Sequence, residues 1–161
     1  MEEVEKYYVK DLKIFDTNNH DFFPNKELYL LRNQSSVSGI GFFEACNFYP
    51  DFILWLLADG QQYINFIDPK GLRNTDGINN PKIRFCKTIK ELETRLNDPN
   101  VTLNSFIITT TPNTQVSWWS NGRTKEKIEK HHVFFMTEDR ESYINKLFST
   151  FEMAEKKKAT S

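Results

Sequence analysis

The chain has 161 residues and a mass of 19.0 kDa, enough for one domain with a single core and too few for two that fold independently. Hydrophobic residues make up 39% and charged residues 27%, with 14 Phe, 3 Trp and 6 Tyr, which excludes a disordered or collagen-like chain. Lys plus Arg number 21 against 22 Asp plus Glu, so at a net charge of -1 any attraction for nucleic acid must come from a local patch.

Val4, Tyr7, Tyr8, Leu12 and Phe15 recur at helical spacing and predict an amphipathic helix over Glu2 to Phe15, broken by Asn18, Asn19 and Pro24. Glu27 to Asn33 (ELYLLRN) reads as a strand, and the Ser and Gly run from Ser35 to Gly41 as a turn into a second extended segment. Phe48 to Leu57 (FYPDFILWLL) is apolar on both strand faces, which predicts a central strand covered on both sides. Asp59-Gly60 marks a tight hairpin, Tyr63 to Lys70 (YINFIDPK) the next strand, and Gly71 to Pro81 a polar loop.

Ile89, Leu92 and Leu96 predict a helix over Lys87 to Leu96, stopped by Asn97-Asp98-Pro99. Leu103 to Thr110 (LNSFIITT) is a strand rich in β-branched residues. A polar, basic stretch, Asn121 to Lys130, precedes the short apolar segment His132 to Met136, which fits an edge strand. Tyr143, Ile144, Leu147, Phe148 and Phe151 line one face of a last helix, with Glu138 and Asp139 at its start and Lys156 to Lys158 at its end, as the helix dipole prefers. No repeat or linker divides the chain, so a single domain over residues 1–161 is expected, α/β in class.

No apolar run approaches the ~18 residues of a membrane-spanning helix, and the opening MEEVEKYYVK lacks the basic-then-apolar layout of a signal peptide. A soluble, cytoplasmic protein is the expectation. Cys46 and Cys86 lie in apolar text without His or Cys at zinc-ligand spacing, and both are expected as reduced core thiols.

Charge gathers at two places where an apolar strand would be easier to bury: Pro50-Asp51, opening the central strand, and Asp68-Pro69-Lys70, closing the next. Side chains alternate along a strand, so Asp68 and Lys70 share a face, and the Asp59-Gly60 hairpin brings the Asp51 end beside the Asp68 end. Two converging carboxylates repel unless a cation lies between them, and a hard divalent ion such as Mg²⁺ takes a few carboxylate oxygens and fills the rest of its shell with water. The Pro69 carbonyl offers a further oxygen. Lys70 is placed to act on an attacking water or on charge building at a phosphate oxygen. The plain alternative is that Asp51 caps a strand while Asp68 and Lys70 form an exposed ion pair.

This arrangement resembles the PD-(D/E)xK nuclease superfamily. The text LYLLRN, GIGFFEACNFYPDFILWLLADGQQYINFIDPKGLRN, PKIRFCKTIKELE and LNSFIITTTP is similar to the C-terminal nuclease domain of type III restriction endonuclease (Res) subunits and related helicase-nuclease proteins, over most of the chain. The resemblance implies a restriction-endonuclease-like core, a mixed sheet flanked by helices in the order αβββαβ, followed here by a strand and a helix. It implies Mg²⁺-dependent DNA cleavage, with Mn²⁺ able to substitute, Asp51 and Asp68 as metal ligands and Lys70 as the catalytic lysine. It also implies a helicase or ATPase module and a methyltransferase subunit as partners. Asp68 stands where many members carry Glu, Cys46 where relatives often have Gly, and no G-x-x-x-x-G-K-[ST] motor motif occurs in this sequence.

Members usually add an acid from the first helix. Glu5 is the first candidate, with Asp11 and Glu44 as rivals. Lys87 resembles a position that touches substrate phosphate. Arg84, Lys87 and Lys90, with Arg123, Lys125, Lys127 and Lys130, form two basic stretches able to follow a phosphate backbone. Trp118 and Trp119 are candidates for stacking on bases, and His131 and His132 lack a partner at metal-ligand spacing. The expected function is a metal-dependent DNA endonuclease of restriction type. The alternative is a nuclease fold that has lost cleavage and serves as a DNA-binding or assembly module.

Overall fold

In the computed structural model, residues 26–34, 38–73, 77–116 and 124–150 are described. The helix expected over Glu2 to Phe15 lies outside them, as do Trp118, Trp119, Arg123, Phe151 and Lys156 to Lys158. Five strands form one mixed sheet in chain order: β1 (Lys26–Arg32), β2 (Phe52–Ala58), β3 (Gln61–Pro69), β4 (Val101–Thr109) and β5 (Val133–Phe135). The first three run antiparallel to their neighbours, whereas β4 is parallel to β3 and β5 to β4. Two longer helices, α1 (Pro81–Leu96) and α3 (143–150), and the short α2 (Lys125–Glu129) flank the sheet. The chain is thus α/β, with a five-stranded mixed sheet between helices.

β2 and β3 are joined by the two residues the sequence marked. Asp59 (φ 51°) and Gly60 (φ 76°) are both left-handed, the backbone of a type I′ turn, whose twist matches that of the strands it connects. Such a turn leaves no freedom of register, and Ala58 pairs with Gln61, Leu54 with Asn65 and Phe52 with Ile67. β2 begins later than the apolar text suggested, at Phe52. Before it, Phe42 and Phe48 bridge each other through N–H to carbonyl bonds of 2.8 and 3.1 Å around a 3-10 turn, Phe43–Ala45. The extended segment expected after the turn that ends at Gly41 is thus β2, entered through this bridge.

The two faces of the sheet bury different residues. One packs Leu54, Leu56, Tyr63, Ile67, Phe106, Ile108 and Phe134 against Tyr143, Ile144, Leu147 and Phe148 of α3. The other packs Phe48, Ile53, Phe66 and Leu103 against Phe85 and Ile89 of α1, and continues through Ile83, Ile107, Val133 and Phe135 to Ile128 of α2. Each large side chain removed from water contributes roughly 1.5–3 kcal/mol, so α1 and α3 are held by the sheet more than by their own propensity.

α1 opens at Pro81, six residues before the sequence reading placed it. Asn80 supplies the cap, its side-chain oxygen accepting the Lys82 N–H at 3.0 Å, and Pro81 takes the first helical position, where no N–H is needed. Asn97, left-handed at φ 51°, ends the helix where expected. Lys87 therefore sits in the second turn and does not open the helix. α2 went unread because five residues are too short for a periodic signal, although its Ile128 is fully buried.

Among the described residues β5 is an edge strand, as expected, and pairs with Ile107 to Thr109. The earlier part of β4 is closed by side chains. Glu93 accepts the Leu103 N–H at 2.7 Å, the Lys90 ammonium donates to the Leu103 carbonyl at 2.6 Å, and Nδ1 of His132 lies 3.1 Å from the Ser105 carbonyl. Lys90 also donates to Asn104, whose amide donates to buried Asn65 at 2.9 Å. Charged groups that complete a strand's unmet hydrogen bonds also block pairing with another chain. Asn104→Ala leaves the side-chain oxygen of buried Asn65 without this donor inside the sheet, and should cost about 1–3 kcal/mol, read as a lower denaturation midpoint with an unchanged slope.

Candidate functional site

Phe52 pairs with Ile67, so the next position of the same ladder sets Asp51 opposite Asp68. Asp51 shares the face of Ile53, and Asp68 that of Phe66, so both look toward α1. Lys70, two residues beyond Asp68, keeps that side, and its N–H donates to the Ile108 carbonyl at 2.9 Å, extending the parallel ladder past Pro69. Pro69 ends β3 between them, in register with Ile108. Loop 71–73 is tied down where the Leu72 N–H donates to Thr111 Oγ1 at 3.0 Å.

A residue the sequence reading treated only as the end of a strand holds the other side of the site. Asn33 donates its backbone N–H to the Asp51 carbonyl at 2.8 Å, and its side-chain amide donates to the carbonyls of Pro50 and Ile40, each at 2.8 Å. Its amide oxygen accepts the Ile40 N–H at 2.9 Å. One asparagine thus fixes Pro50-Asp51 against residues 38–42. Its signal was an amide residue just past a strand, too common to single out without the coordinates.

Lys82 is the second residue that sequence reasoning missed. It lies at the start of α1 with its ammonium 3.4 Å from Asp68 Oδ2 and 4.8 Å from the centroid of the Phe48 ring. Because the helix was expected to begin at Lys87, Lys82 fell in a loop with no defined direction. Arg84 and Lys87, expected to touch phosphate, are exposed and lie on the side of α1 away from its buried residues Ile83, Phe85, Cys86 and Ile89. Lys90 turns to the β4 edge.

Asp68 is 5% exposed. Burial is the main cause that pushes its carboxyl above the ordinary range; Lys82 opposes this, the Asp51 charge adds to it, and Lys70 opposes it further. The Lys70 ammonium is pushed down, first by burial and then by Lys82, with Asp68 opposing. Such opposed shifts in one cluster mark a site whose charges are held together against their own preference. The donors are oxygen and ammonium groups, a set suited to a hard cation and a phosphate. Among the described residues no group of three His, Cys, Asp or Glu forms a metal cluster; Asp51 and Asp68 are two carboxylates that could contact a hard cation, with water filling the rest of its shell. Glu5 and Asp11 lie outside the described residues, and of Glu44 only the backbone is described, in the 3-10 turn that packs against α1.

The other candidates fall elsewhere. Lys125 binds Asp139 at 2.7 Å and Glu138 at 3.3 Å, and Lys146 joins Asp139 at 3.0 Å to Glu129 at 2.6 Å. This network ties α2 to the start of α3 and engages the ammonium that the sequence offered to a phosphate. Lys127 and Lys130 remain exposed. His132 stacks on Phe106 at 4.8 Å, and burial lowers its basicity. Cys86 is buried and its thiol is pushed up to about 11, chiefly by burial. Cys46 corrects the expectation of two core thiols: it is exposed, because the left-handed turn at φ 56° that ends the 3-10 segment carries it outward.

The raised Asp68 carboxyl has a consequence for stability. The folded state binds this proton more tightly than the unfolded state, so stability is greatest below the ordinary value of 3.8 and declines as pH rises toward the folded value. Asp68→Asn removes that penalty. Thermal melts should show the variant at least as stable as wild type near neutral pH, with the advantage fading toward about pH 4; a variant that melts lower at neutral pH would show that the Lys82 ion pair outweighs burial.

Comparison with known proteins adds no relative to this geometry: no family model, no curated protein and no solved structure matches the chain.

Proposed function

We propose that the domain is a Mg²⁺-dependent DNA endonuclease of restriction type, built on a restriction-endonuclease-like core and similar in plan to the nuclease domain of type III restriction enzymes. The observation that carries this reading is the ladder position that sets Asp51 opposite Asp68, with Lys70 on the same face two residues on. Among the described residues, an antiparallel meander followed by a helix and a parallel strand is compatible with the βββαβ portion of the plan that the resemblance implies; its first helix falls outside them.

A bound divalent ion would polarise the scissile phosphate and lower the pKa of an attacking water. The chain's own groups do the rest. Asp51 and Asp68 would hold the ion. As an ammonium, Lys70 would neutralise the phosphate oxygen as negative charge develops; as the neutral amine, which burial favours by lowering its pKa, it would receive a proton from the water. The buried wall formed by Phe48 and Phe66 lowers the local dielectric and strengthens both effects. DNA is the proposed substrate, and a helicase or ATPase module and a methyltransferase are the proposed partners, the latter supplying sequence recognition.

One observation favours the second reading, a fold that binds DNA without cutting it: Asp68 already has an ion-pair partner in Lys82. Substitutions separate the two. Asp51→Asn and Asp68→Asn should each keep the fold and reduce Mg²⁺-dependent cleavage by at least about 10³-fold, since side chains without a metal do not reach the rates phosphodiester hydrolysis requires. Wild-type cleavage that persists in EDTA would sink the metal mechanism.

Lys70→Ala should behave differently. Mn²⁺ binding should hold or tighten while the single-turnover rate on linear and supercoiled DNA falls about 10²–10⁴-fold. A folded Lys70→Ala protein that binds Mn²⁺ and cuts at the wild-type rate would remove Lys70 from the reaction.

A further inference from the structure

Four charged groups meet where β2 and β3 end, and one of them is built differently from the rest. Asp51 and Asp68 lie one position beyond the last pair of the β2–β3 ladder, Phe52–Ile67, and Lys70 follows just past the end of β3, its N–H bonded to the Ile108 carbonyl. Lys82 comes from the opposite wall. Its backbone is fixed by the α1 cap through the 3.0 Å bond to Asn80, but its side chain is 34% exposed, against 7% for the Asp68 side chain it faces.

The Lys82–Asp68 contact is a loose one. The 3.4 Å separation exceeds the roughly 2.7–2.9 Å of a well-made bond between an ammonium and a carboxylate. The lysine has a flexible four-carbon stem, and its ammonium also lies over the Phe48 ring. With the helix cap holding its backbone and a third of its side chain in solvent, the ammonium can swing outward while the helix stays in place. Asp68, on a sheet strand and nearly out of solvent, has no such freedom.

The charge count then imposes a condition on any ligand. Counted by themselves, these two carboxylates and two ammonium groups cancel, and the buried carboxylate, Asp68, already has an ammonium beside it. A divalent cation entering alone leaves a surplus of two positive charges in a largely buried place, and an anionic phosphodiester entering alone meets carboxylates already engaged. Entering together, each offsets what the other introduces.

We propose that Lys82 is a movable counter-charge: it neutralises Asp68 when the site is empty, and passes to the substrate phosphate when a divalent cation takes its place beside that carboxylate. The inference rests on the proposed nuclease reading and deepens it. Divalent cation and DNA therefore bind cooperatively, and Lys82 carries a large share of that coupling. It is a positioning and charge-balancing residue, distinct from Lys70, which stays on the strand beside the reacting atoms.

The test is a Mn²⁺ titration followed by electron paramagnetic resonance, with and without a saturating phosphorothioate DNA duplex, on wild type, Lys82→Met and Lys82→Arg, each checked by a thermal melt. In wild type the duplex should tighten Mn²⁺ binding by roughly 5- to 150-fold, and Mn²⁺ should tighten duplex binding by the same factor, as linkage requires. Lys82→Met should bind Mn²⁺ alone more tightly than wild type and lose most of the coupling, whereas Lys82→Arg should retain it.

If Lys82→Met binds Mn²⁺ alone no better than wild type, or keeps the full coupling, the counter-charge role is overturned. Wild type that binds Mn²⁺ equally well with and without DNA overturns the coupling while the metal site stands, and this arm needs no variant to fold. Wild type that takes up no Mn²⁺ in either condition removes the metal-dependent reading, and this inference with it.

Discussion

The antiparallel pairing of β2 with β3 is the constraint on which the rest of the structure depends. Its register is set by two left-handed residues, Asp59 and Gly60, and runs without interruption from Ala58–Gln61 to Phe52–Ile67. Side chains alternate along a strand, so a slip of one residue would turn Asp68 and Lys70 toward α3 and bring Ile67 toward α1. The apolar face that α3 covers and the charged corner under α1 are therefore specified by the same turn. A hairpin more than twenty ångströms of strand away, at about 3.4 Å per residue, decides which acids meet.

Around that pair the protein treats charge in two ways. At the edge of β4, Lys90 and Glu93 meet backbone groups that β5 is too short to reach, and between α2 and α3 the Lys125, Asp139, Lys146 and Glu129 chain satisfies each charge with an opposite one. Those groups are at rest. At the end of β3 the balance is poorer: Asp68 is buried more deeply than any other acid the structure describes, and its paired lysine stands off at 3.4 Å. Burying a carboxylate with an imperfect partner disfavours its charged form. A fold retains such a place at a cost in stability, and a ligand that supplies the missing charge is the simplest reason for it to do so.

The sheet was largely legible in the sequence because its determinants are local. Asp59-Gly60 between two apolar runs, the two-sided apolar text of Phe48 to Leu57, and the β-branched run of Leu103 to Thr110 each carry their signal within a few neighbours; the turn formed as expected, and the runs became β2 (Phe52–Ala58) and β4 (Val101–Thr109) with shifted ends. Asp51, Asp68 and Lys70 could be placed on one face by counting positions along strands joined by a two-residue turn. What counting could not supply was the helix start. The signal there was a single Asn80-Pro81 step, and missing it moved Lys82 out of view and gave Lys87 a position it does not hold.

The sequence by itself determined the class of the fold, the pairing of its central strands and the meeting of two acids with one lysine, since periodicity and turn chemistry act over short distances. Tertiary structure alone decided which cations face those acids. Lys82 reaches Asp68 across fourteen positions of sequence, Asn33 holds Pro50 across seventeen, and Lys125 is drawn to Asp139. Each of these contacts exists because helix and sheet pack in one relative orientation. That orientation is set by the burial of Phe48, Phe66, Phe85 and Ile89, apolar residues whose non-directional attraction carries no mark in the sequence of which polar neighbours it will bring together.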